Sequence, residues 1–242
     1  MKPSLLFDSW TMVVKEWHEW CGVRTRRGWG VVCALILAWS VIAPYLVGHL
    51  EAAPLIIVIA WAALPLVLSG VIITDSIAGE RERQTLETLL ASRLSDQSIL
   101  LGKILAATLL GWSLLLLGLA SGLLQQMAAV LTGTQEFRLF TLGAGMVGAS
   151  VPCIVLVVSV GALFSLYAPS ARFALLLIVA FAGMLLLGAI GLAFWWVSQD
   201  AGSGANAVPP FAACASILTL VDAILLGWLL LSVHRDRLLA IR

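Results

Sequence analysis

The chain has 242 residues, of which 61% are hydrophobic and only 11% charged, with a mean hydropathy of +1.05. Soluble domains carry about 45–50% apolar and about 25% charged residues, so a water-soluble fold is excluded and lipid is the solvent for most of the chain. The formal net charge of +1 offers no basis for a nucleic-acid partner.

Residues 4–27 predict an amphipathic helix. Leu6, Trp10, Val13, Val14, Trp17, Trp20 and Cys21 recur at three- and four-residue spacing and share one stripe, with Asp8, Lys15, Glu16 and Glu19 opposite. Such a helix lies in the membrane interface, where Arg24, Arg26 and Arg27 meet headgroups. A helix packed on a soluble partner is the alternative. The acidic residues are foreign to the basic head of a signal peptide, so no cleavage is expected.

Six apolar runs of membrane-spanning length follow, at 29–50, 55–74, 99–131, 139–167, 173–197 and 211–233. The third is too long for a simple span, so part of it projects or tilts. The runs are continuous and lack the alternation of β-barrel strands. All of the 14 Lys and Arg residues except Arg138 fall in segments on one side of such a topology. The positive-inside rule makes that side cytoplasmic. The expected fold is therefore an all-α integral membrane protein with six transmembrane helices and both termini cytoplasmic.

The connection 75–98 is the richest charged stretch. Gly79 is expected to end the second span. Glu80, Arg81, Glu82 and Arg83 then head a short helix whose Leu86, Leu89, Leu90 and Leu94 form one apolar face. Ser95 is the expected N-cap of the next helix. A hydrophobic ridge with a charged rim suits docking of a soluble partner; a helix lying on the membrane surface is the alternative.

The run Gly-Glu-Arg-Glu-Arg-x-Thr-Leu-Glu-x-Leu-Leu-x-Ser at 79–92, followed by Ile-Leu-Leu-Gly-Lys at 99–103, resembles the permease subunit of ABC-2 type transporters. Gln84 departs from the glycine common at that place and favours continuous helix. The resemblance implies that residues 79–94 form a coupling helix seated on a separate ATPase subunit, which carries ATP and Mg. The seat would be Glu80, Arg81, Glu82, Arg83, Thr85, Leu86, Glu87, Leu89 and Leu90. Residues 1–28 would be the family's elbow helix, and 29–242 the six-helix transmembrane domain. A second permease copy or homologue would complete the assembly in the inner (cytoplasmic) membrane. This chain has no G-x-x-x-x-G-K-[ST] phosphate loop, so ATP hydrolysis by that route belongs to another chain.

Asp222 is the one acid well inside a span, where a carboxylate costs roughly 2.5–3.5 kcal/mol on insertion scales. It is a candidate for the translocation path, or a structural hydrogen-bonding group. Gln125 and Gln126, in the outer part of the third span, are candidates for the exit rim. The four cysteines have neither C-x-x-C nor zinc-ligand spacing and read as packing residues. Gly143, Gly145 and Gly148 spell a dinucleotide fingerprint without the strand it requires. The expected function is export of a lipidic, peptidic or otherwise amphipathic compound. An energy-independent channel or scaffold leaves the docking helix unexplained, and an intramembrane enzyme lacks a catalytic cluster.

Overall fold

The computed structural model describes residues 5–21, 54–82, 95–131, 138–203 and 211–232, together with helical positions at 30, 34, 38, 39 and 42. Among these residues the chain is all-helical, with no strand. Helix α1 is Leu5–Cys21. Helix α2, Pro54–Thr74, runs on through a π-helical turn, Asp75–Gly79, into one further helical turn, Glu80–Glu82. Then come α3, Asp96–Leu131, α4, Arg138–Tyr167, α5, Ala171–Ser203, and α6, Phe211–Ser232.

Among the described residues, four helical stretches are long and apolar enough to cross a membrane: Ala62–Glu82, Gln97–Gly118, Ser150–Tyr167 and Ala171–Leu192. Ser216–Leu230 is a shorter apolar helix. The apolar run at 29–50 falls almost entirely outside the described residues. Helix α3, with 36 residues, is about 54 Å long at 1.5 Å per residue, well beyond the roughly 30 Å of a hydrocarbon core.

Helices α2 and α4 form the centre. α2 packs on α3, α4 and α5, and α4 also packs on α3, α5 and α6. The main core joins Ile73 and Ile77 to Ile104 and Leu115 of α3, Ile154 and Val158 of α4, and Leu229 of α6. In lipid the apolar side chains gain little by leaving their solvent, so association depends on close packing through small residues. Gly70 shows this. A Cβ there would stand 2.8 Å from Val157 of α4 and 2.9 Å from Ile178 of α5, so only glycine lets three helices meet at that level. Leu176, Met184 and Leu187 of α5 and Ile217, Leu220 and Ile224 of α6 point outward. That apolar outer surface suits lipid rather than water.

Two local expectations need correction. Gly79 does not end the second span. The helix widens by one residue into the π turn and continues, with Glu80 in right-handed helical geometry and its N–H bonded to the Ile77 carbonyl. Helix α1 has three faces rather than two. Ser9, Met12, Val13 and Glu16 are buried, and α1 packs on α3; Phe7, Trp10, Val14 and Trp17 are exposed on a second, aromatic face. Asp8, Thr11, Lys15, His18 and Glu19 share the third. Val13 and Glu16 therefore leave the faces that periodicity assigned them, because tertiary contact with α3 takes a third sector of the helix.

Candidate functional site at one end of the bundle

The end of α2, the start of α3, the α4–α5 turn and α1 come together at one end of the bundle. Their meeting is organised by charges. Lys103 lies two turns into α3, and its side chain is only 2% exposed. Its ammonium donates to Glu16 Oε1 of α1 at 2.9 Å and contacts Glu80 Oε1 at 2.8 Å. It also donates to Ser76 Oγ at 2.7 Å and to the Ser76 carbonyl oxygen at 3.1 Å. A buried ammonium is tolerated only when its donors are satisfied and its charge is balanced, and these four acceptors do both.

The neighbouring Gly102 explains how α1 gets close enough. A Cβ at that position would lie 2.5 Å from Met12 Cβ and 2.9 Å from the Ser9 carbonyl oxygen. The glycine opens the groove for α1, and the lysine beside it holds the Glu16 that α1 delivers. The Leu-Gly-Lys of the sequence is thus a helix-docking unit.

The next two residues reach the other side of the bundle. Arg81 donates to the Ala168 carbonyl oxygen at 2.7 Å, with a longer contact to that of Leu166, at the C-terminal end of α4. Glu82 Oε1 accepts the Ala171 backbone N–H at 2.7 Å, at the first residue of α5. Each charge complements the helix terminus it meets, positive on carbonyls and negative on amides. Ser170 adds a cap to α5, accepting the Phe173 N–H on its hydroxyl at 3.3 Å. Ser95 caps α3 in the same way, accepting the Ser98 N–H on Oγ at 3.2 Å.

Among the site residues read from sequence, Glu80, Arg81 and Glu82 are thus brought together with α1, α3, α4 and α5. Arg83, Thr85, Leu86, Glu87, Leu89 and Leu90 lie outside the described residues. Arg81 is committed to the end of α4, and Asp75, at the start of the π turn, is exposed. Gln125 and Gln126 stand near the far end of α3, away from this site along the helix. Asp222 is midway along α6 and 5% exposed, and its Oδ1 has no hydrogen-bond partner among the described residues. Lys103, Glu16 and Ser76 are the members of the site that sequence reasoning missed. A signal was present: Lys103 is a lone cation in an apolar run, which requires a counter-ion from elsewhere in the chain.

The family model described as ABC-2 family transporter protein matches residues 51–208. That range begins just before α2 and contains the whole 75–98 connection and the α4–α5 turn. Among curated proteins, none matches the chain.

Proposed function

Because the chain belongs to the ABC-2 family of transporter proteins, and is thus a multi-pass membrane transport subunit, we propose that it is the permease of an ATP-driven exporter whose ATPase is a separate chain. Residues 79–94 act as the coupling helix. Glu80, Arg81 and Glu82 are its root in the permease, while Arg83, Thr85, Leu86, Glu87, Leu89 and Leu90 face the ATPase groove. ATP and Mg are held by that partner. Six spans with both termini cytoplasmic put the root on the cytoplasmic side of the inner membrane, and a second permease completes the pathway. Helix α1 is the elbow helix, its aromatic face toward the lipid interface.

One observation carries the proposal. Three consecutive charged residues, Glu80 to Glu82, reach α1 and α3 through Lys103, the end of α4 through Arg81 and the start of α5 through Glu82. Hydrogen bonds to charged groups contribute about 1.5–3 kcal/mol each, so this segment is anchored on four helices at once. A loop that only joined two spans would need no such attachments. The basic residues support the orientation: Lys15, Arg81, Lys103 and Arg172 belong to the elements at this end, and Arg138 begins α4 at its opposite end.

Transport across the bilayer needs a polar foothold in the bundle. Asp222, buried and with one carboxylate oxygen unsatisfied among the described residues, serves as that foothold for an amphipathic cargo, with Gln125 and Gln126 nearer the outer exit.

Purification of the tagged chain in mild detergent tests the proposal. A nucleotide-hydrolysing subunit co-purifies with the native chain, and Leu89→Asp releases it. Recovery of the chain without any such subunit overturns the assignment.

A further inference from the structure

We propose that the π turn Asp75–Gly79 is the hinge of the coupling segment, and that Lys103 is the latch that holds it against α1 and α3. The inference rests on the permease assignment for the force that opens the latch, though not for the latch itself.

A π turn is a rare insertion into an α-helix and frequently marks a functional site. Here it sits at the junction between a core helix and the segment assigned to the ATPase. Its inner side is not closed on itself. The Ser76 carbonyl and hydroxyl both accept from Lys103, and the next carboxylate along the chain, Glu80, meets the same ammonium. Lys103 thus bridges the turn from inside to outside and fixes its pitch.

The charge count distinguishes a latch from a permanent tie. One buried cation needs one anion, yet two carboxylates from two different elements share Lys103. Removing the only partner of a buried charge leaves it uncompensated and is strongly destabilising. With two partners, one can leave while the other keeps the ammonium neutralised. Burial decides which one leaves. The Glu16 side chain is 4% exposed, whereas that of Glu80 is 19% exposed at the rim. Glu80 therefore releases to solvent, and Glu16 stays. Helix α1 remains locked on α3 by Glu16 and by the Met12–Gly102 contact, while the coupling segment, still held to the α4–α5 turn by Arg81 and Glu82, pivots about Asp75–Gly79.

Hydrogen exchange on the full complex in lipid nanodiscs tests this, comparing the nucleotide-free state with the state trapped by MgATP and vanadate. Trapping is expected to speed exchange in residues 75–82 about tenfold and to leave α1 unchanged. Glu80→Gln is expected to produce the same selective gain without nucleotide. Glu16→Gln is expected to loosen α1 instead, sparing 75–82. If a single charge change prevents folding, Glu16→Gln/Glu80→Gln/Lys103→Met removes all three charges together, and both segments then exchange faster. Lys15→Ala, on the outer face of α1, is the control and changes neither segment. The proposal is overturned if α1 and 75–82 respond together to Glu80→Gln, or if neither responds. The variant comparisons are repeated on the permease alone, so a missing ATPase contradicts the permease assignment while these comparisons still decide on the latch.

Discussion

Lys103 and Glu16 are 87 positions apart in the chain, and their charged groups meet at 2.9 Å with both side chains almost fully buried. The contact ties the N-terminal helix to a membrane-spanning helix at the level where the second span turns toward the coupling segment. Lys103→Met leaves Glu16 buried without a cation, and breaking such a pair costs about 3–5 kcal/mol. The expected result is a lower unfolding temperature in detergent and faster proteolysis of α1. Retention of both at native values contradicts the arrangement.

Gly102 sets the distance between those helices. Gly102→Ala forces Met12 or the Ser9 backbone to move, and overpacking of this kind costs about 1–3 kcal/mol. Proteolysis within α1 should accelerate. The double variant Gly102→Ala/Met12→Gly, which removes the Met12 Cβ and Cγ nearest the new methyl, should recover part of the loss. Absence of any rescue places the clash elsewhere.

The α4–α5 turn depends on Arg81 and Glu82. Glu82→Gln retains a hydrogen-bond acceptor and loses the charge that suits a helix N-terminus, a difference of about 0.3–1 kcal/mol. Glu82→Ala loses both and should cost more, about 1–3 kcal/mol. Thermal unfolding in detergent should rank native above Gln above Ala. An unfolding temperature left at the native value in both variants removes Glu82 from the capping role.

Asp222 separates stability from function. Asp222→Leu replaces a buried, partly unsatisfied carboxylate with an apolar side chain of similar size, and should hold or raise the unfolding temperature. The same variant should lower nucleotide turnover by the assembled complex, because the cargo's foothold is gone. A variant that unfolds at lower temperature makes Asp222 a structural residue instead.

The three faces of α1 can be read chemically. In a chain whose four native cysteines are replaced, Lys15→Cys should react readily with a water-soluble maleimide in liposomes. Trp10→Cys, on the aromatic face, should be shielded by lipid, and Ser9→Cys, against α3, by protein. Equal reaction at positions 10 and 15 contradicts an interfacial helix.

Helices α2 to α6 lie over five of the apolar runs, since a stretch that avoids water for twenty residues has few other ways to satisfy its backbone. Ser95 as the cap of α3 was legible for a similar reason: the signal is local. The node around Lys103 was not. Helical periodicity divides α1 into an apolar and a polar side, and Glu16 falls on the polar one. Only the approach of α3 turns that sector inward. Gly79 likewise reads as a helix end from its own propensity, yet Lys103 and the Ile77 carbonyl carry the chain through it. Contacts between residues some ninety positions apart leave no periodic trace. A lone lysine in an apolar run was the one mark of this site.

The central claim is that residues beyond Glu82 seat an ATPase. Site-specific photocrosslinking in intact membranes tests it most directly, with a benzophenone side chain at position 89 and, as control, at the outward-facing position 228 of α6. The account predicts an adduct between position 89 and a nucleotide-binding subunit, and none from position 228. A lipid-only product at position 89, with no protein adduct, would contradict it.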